Sequence, residues 1–207
     1  MRGGGEVVQG DRLRQRRHGG VSAGCARAVL LYGNEYKAPS GTPGHRSHHR
    51  PGSGGLADSR GTLVDIKSLD TRWFPHFARC LEPLLKSPVK LIWHCDGNLM
   101  QMVPRLIEVG LKGFQGFQYE DGMDYEKICK MKTKDGDPLI IMAGVSVTRT
   151  LPYGTTDDVK KEIKWAVEHA PKTGFFLSST SSITPGVPWE NIKTFIEARE
   201  YYLTHGR

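Results

Sequence analysis

From about residue 71 onward, short apolar runs alternate with stretches of helical period, and this alternation limits the chain to few folds. Runs with the length and composition of buried strands fall at 89–93, 113–118, 138–143 and 174–177. Strands that alternate with helices of this length pair in parallel, because each helix carries the chain back to start the next strand. The sequence therefore predicts an α/β fold with about four βα units.

Local signals set the ends of the predicted helices. Asp124 is placed to cap one helix, and Thr155 with Asp158 has the spacing of a capping box at the start of another. The last helix is expected to follow Pro188 and to end near Gly206. Its predicted buried residues are Ile192, Phe195 and Ile196.

Residues 1–60 differ in composition from the rest of the chain. They hold thirteen of the 25 glycines and ten Lys/Arg against four acidic residues, so they carry +6 of the net charge of +7. No apolar period is present, and the short apolar patch at 26–32 is isolated. We therefore predict a disordered Gly/Arg-rich tail over 1–60, either native or an extension foreign to the fold, and one folded domain over 61–207.

The composition also indicates in which cellular compartment the protein is expected and which classes of partner it is expected to bind. No run approaches the roughly 18 apolar residues of a membrane-spanning helix. The four cysteines lie far apart without a Cys-x-x-Cys pair, and the basic N-terminus lacks the apolar core of a signal peptide. We expect a reduced, cytoplasmic protein without a membrane partner. Since the basicity belongs to the tail, nucleic-acid binding is not expected of the folded part, although an arginine-dependent tail interaction stays an alternative.

Polar side chains follow each predicted strand, at the end where parallel βα folds gather their chemistry. His94, Asp96 and Asn98 follow the first strand. The later strand ends carry Gln118, Glu120, Asp121, Ser146, Thr148 and the serine-rich segment 178–182. These residues are the candidates for a site.

His94 and Asp96 form the most unusual pair, because alternation along a strand points them to one side and Cys95 to the other. A carboxylate beside an imidazole suits proton transfer or substrate anchoring. Two other interpretations stay open: a hydrogen-bond network that only closes the strand end, and a metal site that includes Glu120. Hydroxyl and N–H groups of 178–182 are suited to an anionic group.

Taken together, five motifs resemble the uroporphyrinogen decarboxylase superfamily, which includes corrinoid-linked methyltransferases. They are the segments 94–98 (HCDGN), 104–110 (PRLIEVG), 120–124 (EDGMD), 154–159 (GTTDDV), and 174–178 (GFFLS) followed by 188–192 (PWENI). Their order and spacing cover about 120 residues. The resemblance implies a (βα)8 barrel whose site lies at the carboxyl ends of its strands.

The resemblance also implies chemistry. Family decarboxylases use no cofactor and remove acetate carboxyl groups from a porphyrinogen in tetrapyrrole biosynthesis, whereas the zinc methyltransferases use a His-x-Cys pair and a later Cys. This chain has His94-x-Asp96, with Ser181 at the later position and Val147 or Thr148 where an aspartate is expected. It is most similar to a His-x-Asp-Gly branch of the superfamily.

The resemblance assigns roles as follows: His94 and Asp96 catalytic; Asn98, Glu120 and Ser181 substrate-binding; no cofactor, with zinc at His94 as the alternative. Residues 61–207 correspond to the C-terminal half of the barrel, so we expect a truncated member. Whether it is an active lyase or methyltransferase by itself stays open. A half-barrel is also expected to pair, as a homodimer or with a complementing half, because its sheet edges lack neighbours.

Overall fold

Five parallel strands form the main sheet. The computed structural model describes residues 28–32 and 56–207. In spatial order, which follows the chain, the strands are β1 (Ala28–Tyr32), β4 (Lys90–His94), β5 (Gly113–Gln115), β6 (Ile140–Val145) and β7 (Phe175–Ser179). A separate antiparallel hairpin consists of β2 (Ala57–Asp58) and β3 (Gly61–Thr62). The predicted α/β class with a parallel sheet of βα units is confirmed.

Helices connect successive strands. They are α1 (Ile66–Ser68), α2 (Phe74–Leu85), α3 (Val103–Glu108), α4 (Tyr125–Lys130), α5 (Thr150–Tyr153), α6 (Thr156–His169) and α7 (Trp189–His205). A π-helical turn, Leu69–Trp73, joins α1 to α2, and a 3-10 turn, Tyr119–Asp121, follows β5. Of the helices in the described ranges, none has the length and apolarity needed to cross a membrane.

The predicted caps are present. Asp124 Oδ1 accepts a hydrogen bond from Lys127 N at 2.9 Å at the start of α4. Thr155 and Asp158 exchange side-chain and backbone hydrogen bonds in a capping box at the start of α6. Helix α7 follows Pro188 and ends at His205, next to its C-cap Gly206, as predicted. Local chemistry therefore fixed these helix ends.

One face of the sheet packs against the helices and forms the core. The strand residues on this face are Leu91, Trp93, Phe114, Ile141, Ala143 and Val145. The helix residues that pack in the same clusters include Leu81 of α2, Leu106 of α3, Ile128 of α4 and Ile163 of α6. All are buried. The helix layer thus covers the sheet from β4 to β7.

The other face, here called the inner face, follows from the strand register. Ile92 and Ile140 align with Gly113, and in the next row His94, Gln115, Met142 and Phe176 are register partners. Partners in parallel strands share a face. Ile92 and His94 are buried, but Phe176 on β7 is 56% exposed. Exposure of the inner face is therefore greatest at β7.

The structure departs from the sequence predictions at three places. Within the predicted tail 1–60, residues 28–32 form β1 beside β4, and residues 57–58 form β2. Both find partners that are distant in sequence. The remainder of the tail prediction lies outside the described residues. In α7, Phe195 is buried as expected, but Ile196 is 48% exposed because it lies beyond the stripe that meets α6.

Candidate functional site

The carboxyl ends of β4 to β7 meet along one edge of the sheet, here called the carboxyl edge. His94, Gln115, Val145 and Ser179 are the last residues of these four strands. All four strands run in the same direction. The loops that carry the predicted site residues therefore leave the sheet at the same edge, as the rule for parallel βα folds requires.

His94 is buried at the end of β4, with 6% of its surface exposed. Its Nε2 lies 3.8 Å from Asp96 Oδ1, and the Asp96 side chain is 44% exposed. Gly116, with φ of +93°, lies against the ring: a Cβ there would be 3.0 Å from His94 Nδ1 and 2.9 Å from Cys95 O. The His94 ring therefore packs against the backbone at Gly116, while the side chain of Asp96, its predicted partner, is partly exposed to solvent.

Cys95 points to the opposite face, as alternation predicts. It is fully buried in the core cluster, and its Sγ lies 3.4 Å from Asp96 O. Burial is the main cause that raises the pKa of this thiol. Cys95 is therefore a core thiol rather than a partner of the His94 ring.

The loop after Asp96 is fixed from two sides. Gly97 N donates to Gln118 Oε1, and Asn98 N donates to Asp58 O at 2.8 Å. Asn98 Oδ1 accepts from Met100 N at 3.1 Å. A Cβ at Gly97 would lie 2.8 Å from Asp58 O, so the hairpin of β2 and β3 packs directly on this loop. The Asn98 side-chain amide lies against the turn after β5, where a Cβ at Gly122 would be 2.7 Å from Asn98 Nδ2.

Glu120 lies in the turn after β5 and is bound by the loop after β6. Its Oε1 accepts from Ser146 Oγ at 2.5 Å and from the Thr148 hydroxyl. Arg149 Nη2 donates to Glu120 O at 3.2 Å and lies 4.0 Å from Asp121 Oδ1. The structure therefore joins the predicted residues Glu120, Ser146 and Thr148 in one network.

The sequence analysis missed two members of that network, Tyr119 and Glu162. Tyr119 OH lies 2.6 Å from Gly144 O and 2.5 Å from Glu162 Oε1, which also accepts from Ser146 N at 3.2 Å. Burial is the main cause that raises the pKa of Glu162 and that of Tyr119. Glu162 comes from α6, where it continues the apolar stripe of Val159, Ile163 and Ala166. A polar residue within such a stripe was the available signal.

The serine-rich segment is ordered mainly by Thr180, which is fully buried. Thr180 N donates to Val145 O at 3.0 Å, and Thr180 Oγ1 accepts from Val147 N at 3.2 Å. Gln115 Nε2 donates to Thr180 O at 3.3 Å. Ser181 contributes its carbonyl, which accepts from Ser179 Oγ at 2.8 Å. The predicted residue Ser181 is thus at the carboxyl edge, and Thr180 anchors it there.

The zinc alternative requires three ligands around one point. Within residues 56–207, no group of three or more His, Cys, Asp or Glu side chains is placed to hold a metal ion. The Cys95 thiol lies on the core side, so it does not join His94 as a soft ligand. The donors described around His94 therefore do not fit a His-x-Cys zinc site.

Comparison with known proteins identifies the family. Residues 54–202, or 149 of the 207 residues, match the family described as Uroporphyrinogen decarboxylase (URO-D). The chain belongs to the URO-D family. Comparison with curated proteins gives no match. The URO-D match begins at residue 54, so it includes the β2–β3 hairpin that binds the Asn98 loop, a segment the sequence analysis had assigned in part to the tail.

Proposed function

We propose that this URO-D chain supplies the His94–Asp96 half of an active site that decarboxylates a carboxylated, porphyrinogen-like small molecule. The observation that carries the proposal is the geometry of His94. A buried imidazole ends a core strand at the carboxyl edge, and Oδ1 of the half-buried Asp96 carboxylate lies 3.8 Å from its Nε2. Family membership supports the reaction class.

Decarboxylation of an acetate side chain requires a proton donor. When the bond between carbon and the carboxylate breaks, CO2 leaves and an electron pair remains on the carbon framework, which must take up one proton. An imidazolium can deliver that proton, and a neighbouring carboxylate stabilises the imidazolium and orients the ring. We assign donation to His94 and orientation to Asp96. No cofactor is required for this step.

Substrate contacts are assigned to Asn98, Glu120 and Ser181. Asn98 Oδ1 is occupied by Met100 N, which leaves the side-chain amide N–H groups as donors toward a substrate. Asp96, Glu120 and Asp121 make this edge rich in acceptors, which suits the N–H groups of pyrroles. Arg149 is already engaged by Glu120 and Asp121.

The inner face favours a second candidate function, a half-barrel that pairs with another chain. Ile140, Met142 and Phe176 lie on the face away from the helices, and Phe176 is 56% exposed. Ile140 and Met142 are half-buried and Phe176 is exposed, so the apolar surface that is open to a partner is centred on β7. Pairing with a second copy or with a complementing half would cover it. The oligomeric state of the purified chain tests this candidate.

The decarboxylase proposal is tested with the full-length chain and uroporphyrinogen, by measuring released CO2. His94→Gln removes the proton donor, and we expect activity to fall roughly 100-fold or more, the usual contribution of a general acid. His205→Gln is the matched control, because His205 is exposed near the end of α7 and its ring contacts Tyr201 of its own helix. Equal activity of the two variants would contradict the role of His94. An inactive wild-type chain would favour the second candidate.

A further inference from the structure

Near the carboxyl edge, one phenol oxygen lies within hydrogen-bonding distance of two other oxygen atoms. In their usual protonation states the three groups supply only one proton for these two hydrogen bonds. The Tyr119 phenol oxygen is 2.6 Å from Gly144 O and 2.5 Å from Glu162 Oε1. Both distances are those of hydrogen bonds between oxygens, and each such bond needs a hydrogen. The phenol has one proton, and a backbone carbonyl can only accept. Two bonds therefore require a second proton.

The Glu162 carboxyl is the only one of the three groups that can hold the second proton. In that arrangement the phenol donates to Gly144 O, and Glu162 Oε1–H donates to the phenol oxygen. We propose that Glu162 is protonated in the folded protein at neutral pH and acts, through Tyr119 and Ser146, as a positioning residue for the Glu120 carboxylate.

The surroundings of Glu162 favour the neutral form. Its Oε2 is buried and makes no hydrogen bond within the described part of the chain. The groups that face the carboxyl are Tyr119 and Glu120 from the turn after β5, and Ser146 and Thr150 from the segment between β6 and α6. None is a cation. Burial raises the pKa of Glu162, and the nearby Glu120 charge adds to this, against the Tyr119, Thr150 and Ser146 hydrogen bonds.

Glu120 differs from Glu162 at Oε1 but not at Oε2, which is likewise buried and makes no hydrogen bond within the described part of the chain. Its Oε1 accepts two hydroxyl protons, from Ser146 and Thr148, which is the pattern of an ionised carboxylate. Ser146 joins the two acids, since its N–H donates to Glu162 and its Oγ donates to Glu120. Neighbouring carboxyls that differ in protonation are what acid–base sites use. A neutral Glu162 removes the charge repulsion between these two carboxyl groups.

Infrared spectroscopy of the full chain tests the protonation directly and needs no substrate, so its outcome is independent of the proposed decarboxylation. We expect the C=O band of a protonated carboxyl to persist at pH 7, where exposed carboxyls are ionised. The band should be absent in Glu162→Gln and present in Glu168→Gln. Glu168 is the matched control, because it is exposed on the same helix and pairs with Lys164. A wild-type protein without the band at pH 7 would overturn the proposal.

The pH dependence of stability gives a second test. A folded-state pKa above the unfolded value contributes stability that is full below the unfolded pKa and is lost as pH rises through the folded pKa. The unfolding constant of wild type relative to Glu162→Gln should therefore rise with pH above about 4.5, by at most about tenfold per pH unit. A ratio that stays constant above about pH 4.5 would overturn the proposal, because it would show that Glu162 is ionised over that range in the folded protein as well as in the unfolded chain. Should Glu162→Gln not fold, the wild-type infrared titration decides alone.

Discussion

Replacement of Gly116 by alanine should displace the His94 ring. Gly116 follows β5 directly and has φ of +93°, a conformation that residues with a Cβ rarely adopt. The added Cβ would lie 2.9 Å from Cys95 O, 3.0 Å from His94 Nδ1 and 3.2 Å from His94 Cε1. One of these contacts is with backbone, so a side-chain rotation alone cannot relieve the crowding. The strand end or the ring must move.

Two effects should lower the stability of Gly116→Ala: the positive φ and the crowding by neighbouring atoms. Substitution of a second glycine, Gly136, measures the first effect without the second. A positive φ costs an alanine about 1–2 kcal/mol, and overpacking in a close-packed region adds about 1–3 kcal/mol. Gly136 has a similar φ of +87°, but a Cβ there would meet no atom within 4 Å. Gly136→Ala should therefore show the first effect alone. The free energy of unfolding should fall further in Gly116→Ala, by about 1–3 kcal/mol.

Urea denaturation followed by tryptophan fluorescence measures both variants, and a double-mutant cycle assigns the difference to His94. In a His94→Ala background the ring contacts are gone, so Gly116→Ala should cost less than in wild type, while the contact with Cys95 O remains. Equal losses for Gly116→Ala and Gly136→Ala would refute the reasoning. So would a Gly116→Ala cost that does not depend on His94.

Two further predictions concern the packing of α7 and the inner face. Asn191 is 3% exposed, and its Nδ2 donates to Leu151 O at 2.9 Å and to Gly154 O at 2.8 Å. Asn191→Ala should therefore lower the free energy of unfolding by about 1–3 kcal/mol. Asn191→Asp should lower it further, because a carboxylate oxygen would then face the two carbonyl oxygens. Urea unfolding at pH 7 measures the order, and a milder Asp variant would contradict it. If the inner face pairs, sedimentation velocity should show self-association of the wild-type chain that Phe176→Glu removes; monomers in both would contradict pairing.

Elements whose signals are local could be predicted from the sequence. The four predicted strands are β4 to β7, and the caps at Asp124 and Thr155 are where the sequence indicated. The strand predicted over 113–118 ends early, at Gln115, because Gly116 takes a positive φ that no strand continues. Family membership was also predictable, since motifs spread over about 120 residues carried it.

Features that depend on distant partners could not be predicted in this way. The apolar patch at 26–32 looked isolated because its partner, β4, lies far along the chain. Glu162 sits among lysines in sequence, and only the fold shows that Tyr119 and Ser146 meet its carboxyl. For the site itself, the sequence predicted that polar residues following β4 to β7 gather at one edge of the sheet, and the fold confirms that position. The roles proposed for His94, Asp96, Asn98, Glu120 and Ser181 stay predictions.

The pairing of β1 with β4 has a consequence for the order of folding. Ala28 aligns with Lys90, 62 residues away, whereas Ile92 aligns with Gly113 and Gly113 with Ile140, 21 and 27 residues apart. Closing the longer loop costs little extra free energy, about 0.6 kcal/mol per doubling of length, but contacts between distant segments form slowly. We expect β4 to β6 to assemble first and β1 to add last. In hydrogen exchange the amides of Ala28–Tyr32 should then open well below the free energy of global unfolding.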